Sequence, residues 1–149
     1  QSENTVAEVR LLVYALRPPT LDELGLVDAI REHVDVVAAN SGLQITVAAP
    51  ASLPEIPAAV EVAAFRIVQE ALNNVIRHAQ ARCCTLAIVS DASLHIRIED
   101  DGVGLPAAVH SGVGLHSMRE RAIEVGGGCT VANRSAGGVI VQVSLPLAS

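Results

Sequence analysis

The segment from Arg66 to Ala79, RIVQEALNNVIRHA, decides the fold. At 100° per residue, its polar side chains fall on one narrow helix face and its apolar side chains on the other. A carboxylate, carboxamides and a guanidinium within two turns suit a metal-bridged polyphosphate, because Mg²⁺ prefers hard oxygen ligands and arginine neutralises phosphate. A solvated face carrying an asparagine pair by chance is the alternative. The polar face comprises Arg66, Glu70, Asn73, Asn74 and Arg77, with His78 at its edge, and the apolar face Ala64, Phe65, Val68, Ala71, Leu72, Val75, Ile76 and Ala79.

Composition predicts one soluble domain with an aliphatic core. The chain has 149 residues, half of them apolar, with one Phe, one Tyr and no Trp, which is enough for a single core. A net charge of −6, no lysine and few aromatic residues argue against a nucleic-acid partner. Cys83, Cys84 and Cys129 form no CxxC motif, which fits a reducing, cytoplasmic compartment. The sequence predicts no signal peptide or membrane span, so any membrane attachment would come from segments outside this chain.

The first forty residues predict two helices separated by a proline break. Apolar positions recur at helical spacing from Thr5 to Leu16, and Pro18 and Pro19 then end that helix. Thr20 and Glu23 form a capping-box pattern, which predicts a new helix start. That helix should bury Leu26, Ile30, Val34 and Val37 and end at Asn40, Ser41 and Gly42.

The rest of the chain predicts mainly strands. A short strand is expected at 44–49, a hairpin at 85–100 and a last hairpin at 130–145. Alternation over 94–100 places Asp100 on the core side, together with Leu94, Ile96 and Ile98. A carboxylate directed inward needs a hydrogen-bond donor, which predicts a ligand or water there. An Asp that caps the following glycine-rich turn is the alternative.

Two Gly-x-Gly pairs follow this strand, Gly102/Gly104 and Gly112/Gly114. Glycines allow close approach of the backbone to a ligand, and the second pair opens a helix, whose N-terminus favours phosphate. The first pair matches a dinucleotide fingerprint formally, but its strand belongs to a hairpin rather than a βαβ unit. A Walker A loop is excluded because the chain has no lysine.

Together these elements resemble the ATP-binding domain of sensor histidine kinases, in the GHKL (Bergerat-fold) superfamily shared with gyrase, the heat-shock chaperone and the mismatch-repair ATPase. QEALNNVIRHA resembles the N box of that family, EDDGVG its first glycine box and GVGLHSMRERA its second. The closing GGVIVQVSLPL also matches. YALRPPTLDELGLVDAI resembles the junction found in the branch whose kinases partner LuxR-type response regulators.

The resemblance implies a role for each residue of the site. Asp100 would accept from the adenine amino group, Asn74 would bind Mg²⁺, and Glu70 would be a second metal ligand or a general base. A mobile lid is implied from Pro106 to Ser111. The residues implied to bind ATP are Asn73, Asn74, Arg77, His78, Ala79, Asp100, Gly102, Val103, Gly104, Leu105, Gly112, Val113, Gly114, Leu115, His116 and Met118.

The implied fold is a two-layer α/β sandwich, with a mixed, largely antiparallel sheet of about five strands covered on one face by three helices. Residues 1–23 would be the end of a dimerisation helix and linker, and 24–149 the ATP-binding catalytic domain. Relatives commonly carry Thr where this chain has Val139, which puts a water-mediated adenine contact in doubt. No histidine here has the context of a phosphoacceptor, so this chain should bind ATP without phosphorylating itself.

The leading hypothesis is a protein-histidine kinase domain that binds Mg·ATP and donates the γ-phosphoryl group to a histidine on a dimerisation domain outside the chain. A LuxR-type response regulator would act downstream. The alternative is an ATP-hydrolysing switch of the gyrase or mismatch-repair type, with Glu70 activating water. A nucleotide-binding regulatory module without chemistry is a third possibility.

Overall fold

A computed structural model describes residues 18–104 and 113–148, and the side chains of all of these except 78, 79, 113 and 114. The helices are α1 (Pro19–Leu24), α2 (Leu26–Ser41), α3 (Ala58–Asn74), which continues into a π-helical turn (Val75–Ala79), and α4 (Val113–Glu124). The strands are β1 (Gln44–Ala48), β2 (Cys83–Ser90), β3 (Ser93–Asp100), β4 (Gly128–Asn133) and β5 (Val139–Pro146).

The five strands form one mixed sheet in the order β1-β2-β3-β5-β4. β1 runs parallel to β2, and every other neighbouring pair is antiparallel. The three long helices α2, α3 and α4 contact the sheet. The predicted two-layer α/β sandwich is therefore confirmed. None of the described helices combines the length and hydropathy that a bilayer span requires.

The core lies between the sheet and the helices. Along β3 the side chains alternate as predicted, with Leu94, Ile96 and Ile98 at most 1% exposed. α3 buries its apolar face against them and includes Ile67, which is fully buried although the sequence pattern did not assign it to that face. Phe65 is the one aromatic ring among the described core residues. Aliphatic packing of this kind provides most of the stabilisation of such a domain.

The first helix begins differently from the prediction. Its N-cap is Pro18, with no side-chain cap hydrogen bond, so the capping box at Thr20 is wrong. Proline needs no backbone partner for its nitrogen and has a φ suited to the first helical turn, so the helix starts at Pro19. Gly25, with φ of +80°, separates α1 from α2. The predicted domain boundary after residue 23 lies within α1 and remains a prediction.

The central helix also departs from the prediction at its end. A single α-helix was expected to extend to Ala79, but the last five residues form a π-helical turn. A π turn holds more residues than an α turn, so the side chains that follow rotate out of the α-helical phase. Ile76 is 46% exposed as a result, although the sequence pattern placed it on the buried face.

Gly127→Ala should destabilise the protein by about 1–3 kcal/mol. A Cβ at position 127 would overlap the carbonyl oxygen of Ser144 and lie 3.0 Å from the Cα of Leu145, so backbone would have to move. Gly128→Ala is the matched control, because a Cβ there meets nothing within 4 Å. Urea unfolding followed by circular dichroism measures both, and equal stability of the two variants would contradict this packing.

Candidate functional site

Asp100, the last residue of β3, is the centre of the candidate site. Of the charged side chains in the described ranges, only this one is buried, at 3% exposure. Strand alternation places it on the helix-covered face with Ile98 and Ile96. An ionised carboxylate in such a position is costly unless hydrogen-bond donors satisfy it.

Two backbone N–H groups donate to Asp100, and both donate to Oδ1. The N–H of Gly102 lies at 2.8 Å and that of Val139 at 3.4 Å. Among the described residues, none donates a hydrogen bond to Oδ2. Burial raises the pKa of this carboxyl group, and the negative charge of Asp101 raises it further. The hydrogen bonds from the two N–H groups lower the pKa in part. Asp100 therefore keeps one oxygen available to a donor from a ligand.

The neighbouring Asp101 has a different role. It is exposed, and its Oδ1 accepts from the backbone N–H groups of Arg82 at 2.9 Å and Cys83 at 3.0 Å. These hydrogen bonds lower the pKa of its carboxyl group. Asp101 thus fastens the end of β3 to the start of β2, and so supports the position of Asp100.

A small cavity adjoins the Asp100 carboxylate. Its volume is about 20 Å³, which holds about one water molecule. A purine is larger, so its entry requires these walls to separate. Apolar side chains from α3, α4 and three strands form most of the wall. The lining residues are Ala71, Asn74, Val75, Ile98, Asp100, Gly104, Leu115, Val131, Val139 and Val141.

Among the residues of the polar face of α3 whose side chains the structure describes, only Asn74 reaches the cavity. Asn74 is half-buried and lies in the wall, across the cavity from β3. Glu70 is half-buried one turn earlier and is not in the wall. Asn73 and Arg77 are exposed to solvent. The structure therefore brings Asn74 and Asp100 to one cavity, with Glu70 beside it.

The first glycine box forms the edge of the cavity below β3. Gly102 donates its N–H to Asp100, as described above, and Gly104 lies in the wall with φ of +81°. That φ favours glycine, and a Cβ there would come within 2.9 Å of Asn133 Oδ1. Val103 lies outside the cavity and is 69% exposed.

Three predicted residues of the second glycine box lie on α4 in different surroundings. Leu115 is buried and lies in the cavity wall. His116 is exposed, and its Nε2 lies 3.0 Å from Oε1 of Glu120 on the next turn. Met118 is fully buried in the hydrophobic core and is absent from the cavity wall.

Several predicted features lie outside the described part of the chain. These are the helix predicted at 5–16, Leu105, the lid at 106–111, Gly112 and the side chains of His78, Ala79, Val113 and Gly114.

Other residues of the site were not predicted as ligand contacts. The walls contributed by Val131 and Val141 could have been found from the alternation in the last hairpin, which directs both side chains inward. Val139 is 9% exposed and takes part in the wall as well as donating its N–H to Asp100. Arg134, which donates to the carbonyl oxygen of Asp100, had no recognisable signal in the sequence.

A larger concavity of about 840 Å³ lies on the opposite, open face of the sheet. Its lining includes His95, Arg97 and Gln142, which alternate with the core residues of their strands. Because it contains no buried charged group, we assign the site to the smaller cavity at Asp100.

Comparisons with known proteins show which family this chain is similar to. The sequence model of the family described as "Histidine kinase-, DNA gyrase B-, and HSP90-like ATPase" matches residues 59–149. The chain is 39% identical over 141 residues to the signal transduction histidine-protein kinase/phosphatase UhpB of Salmonella typhimurium. It is 34% identical over 143 residues to the sensor histidine kinase LiaS of Bacillus subtilis. These alignments cover 93% and 94% of the chain but only 28% and 39% of the two relatives.

Solved structures share the fold. The blue-light activated histidine kinase of Erythrobacter litoralis EL346 superposes with a TM-score of 0.69 and 21% identity, over 82% of this chain and 42% of that one. The ATP binding domain of PrrB from Mycobacterium tuberculosis superposes with a TM-score of 0.57 and 24% identity, over 79% of this chain and 93% of that domain.

Asp100→Asn should change how stability depends on pH. Burial raises the pKa of Asp100 in the folded state, whereas in the unfolded chain it is about 3.9. The stability gained from the protonated carboxyl group is therefore fully present below about pH 4. It is lost as the pH rises through the folded-state pKa.

The asparagine variant lacks this titration and keeps an acceptor for the two N–H groups. The stability of the wild type relative to the variant should fall between acid and neutral pH, as measured by urea unfolding in a pH series. Asp101, whose pKa is lowered, is present in both proteins, so its contribution largely cancels. A difference that stays constant with pH would contradict the buried position of Asp100.

Proposed function

Because this chain belongs to the family of histidine kinase-, DNA gyrase B- and HSP90-like ATPases, we propose that it binds Mg·ATP and presents the γ-phosphoryl group to a histidine of a dimerisation domain. The observation that carries the proposal is the buried Asp100 carboxylate, with Oδ1 held by two N–H groups and Oδ2 left without a donor among the described residues.

In this proposal the adenine amino group donates to Oδ2 of Asp100. The apolar walls from Ile98, Val131 and Val141 suit a planar base, because they offer contact area without competing hydrogen bonds. Val139 takes the place of the usual threonine and presents no hydroxyl, so the base depends more heavily on Asp100. Gly104 allows the backbone to approach the base closely.

Mg²⁺ would be held jointly by the protein and the phosphates. The described part of the chain has no group of three or more His, Cys, Asp or Glu side chains that could bind a metal ion. A magnesium ion commonly keeps several waters and uses one or two protein ligands plus substrate phosphates. The amide oxygen of Asn74 is suited to that role, with Glu70 one turn away as a second ligand. When bound, the ion neutralises developing charge on the phosphates.

The remaining predicted residues would hold the polyphosphate and move the proton. Arg77 is exposed at the end of the central helix and has the charge to neutralise phosphate oxygens. In the transfer, a ring nitrogen of the receiving histidine would bond to the γ-phosphorus while the bond to the β–γ bridging oxygen breaks. ADP would leave, and Glu70 would be placed to accept the ring proton.

The partners follow from the same family. The two relatives described above are named histidine kinases, and they match over nearly the whole chain. We therefore propose a dimerisation domain of the same protein as the phosphoryl acceptor, a response regulator of the LuxR type downstream, and a cytoplasmic location. The ATP-hydrolysing switch is less well supported, since the relatives described above are named histidine kinases.

Asp100→Asn should abolish measurable ATP binding. The amide keeps an acceptor at the Oδ1 position but places an NH₂ donor where the adenine amino group would donate, so two donors would face each other. The affinity should fall at least about 100-fold, because the variant loses a hydrogen bond to a charged acceptor and also buries two donors without acceptors. Isothermal titration with a non-hydrolysable ATP analogue measures it, and equal affinity of the two proteins would refute the adenine assignment.

Asn74→Ala should weaken binding mainly when Mg²⁺ is present. The variant loses an oxygen ligand to the ion but leaves the contact between Asp100 and the base intact. Titration of the same analogue with Mg²⁺ and with EDTA should show about a tenfold loss in the first case and little in the second. Asn40→Ala, at an exposed position on α2 outside the cavity wall, is the control. An equal loss under both conditions would argue against metal binding by Asn74.

A further inference from the structure

We propose that Arg134 is a positioning residue that fixes Asp100 for recognition of the base, an inference that rests on the proposed ATP-binding function. Arg134 follows β4 in the turn that leads to β5. Its N–H donates to the carbonyl oxygen of Gly138 at 2.8 Å, and its carbonyl oxygen accepts from the N–H of Gly137 at 3.1 Å. The backbone of Arg134 is therefore held by a closed turn.

The side chain of Arg134 extends from this turn to the end of β3. Its Nη1 donates to the carbonyl oxygen of Asp100 at 2.7 Å. Its Nε lies 4.0 Å from Oε1 of Glu99, and the side chain is only 31% exposed. A short hydrogen bond from a charged donor is stronger than one between neutral groups. The guanidinium is thus tied to the backbone of the residue whose carboxylate adjoins the cavity.

This hydrogen bond supplies a donor that the sheet does not. The register of β3 and β5 ends at the pair of Glu99 and Ile140. The N–H of Val139, the residue before Ile140, donates to the side chain of Asp100 rather than to its backbone. Without Arg134, the carbonyl oxygen of Asp100 would depend on water or compete for that N–H. Arg134 therefore leaves the N–H of Val139 to orient the carboxylate.

Gly138 brings the turn into direct contact with the end of β3. A Cβ at this position would overlap the carbonyl oxygen of Asp100, and its φ of +92° also favours glycine. Because the backbone of the turn lies against this oxygen, the path for the side chain of Arg134 is short. The charge of Arg134 also lowers the pKa of Asp100, against the larger effect of burial, and so favours the ionised acceptor.

The test compares ATP with inosine triphosphate, which carries a carbonyl oxygen in place of the adenine amino group. Arg134 acts through Asp100, so Arg134→Ala should weaken ATP binding about tenfold and leave inosine triphosphate binding unchanged. The preference for ATP should therefore shrink by the same factor. Arg134→Lys, which keeps a charged donor, should recover part of the preference. Titration calorimetry of the 149-residue chain measures the six affinities of the wild type and these two variants for the two nucleotides.

Arg97→Ala is the matched control. Arg97 is an exposed arginine on β3, the strand that also contains Asp100, and its side chain lies on the open face of the sheet. It should keep the wild-type preference for ATP. Equal weakening of both nucleotides by Arg134→Ala would overturn the inference, since a structural defect or a direct phosphate contact would have that effect. An unchanged preference in Arg134→Ala would overturn it as well. A wild-type chain that binds both nucleotides alike would instead refute the proposed function itself.

Discussion

The structure depends on the hydrogen bonds that keep a carboxylate buried at the end of β3. Asp100 receives N–H groups from two directions, one from the glycine box that follows it and one from the first residue of β5. These donors offset part of the cost of burial but not all of it, since the pKa of the group remains raised. A further hydrogen-bond donor would offset more of this cost. The turns and strands around Asp100 keep the carboxylate in this position.

The sheet and the central helix contribute to this arrangement in different ways. The sheet fixes the carboxylate: Asp101 attaches the end of β3 to β2, and Arg134 attaches it to the β4–β5 turn. The helix α3 packs its apolar face on the same sheet and thereby brings Asn74 to the cavity wall. The amide of Asn74 and the carboxylate of Asp100 consequently line the same cavity. Neither element could provide both, because each presents only one face to the core.

The local sequence pattern was sufficient to predict the regular strands and helices, in which side-chain direction repeats with a fixed period. Side chains alternate along any strand, so the inward direction of Asp100 followed from its neighbours alone. The helix period failed where the backbone left the α conformation, which explains the exposed Ile76. A new helix does start near Thr20, but proline at its first position replaces the predicted capping box. Arg134 could not be found from sequence, since its contact lies 34 residues away and depends on the register of three strands.

The π-helical turn at Val75–Ala79 has a consequence for how the family varies. The N–H of Val75 still donates to the carbonyl oxygens of Ala71 and Leu72, four and three residues earlier, so the wider π-helical winding begins beyond this N–H. A widened turn absorbs a surplus residue without disturbing what comes before it. Removing one residue here would restore ordinary winding and swing the downstream side chains by about 100°. Alignments of shorter homologues should therefore open their gap within these five positions, where evolution can add or delete a residue and leave the amide of Asn74 in the cavity wall.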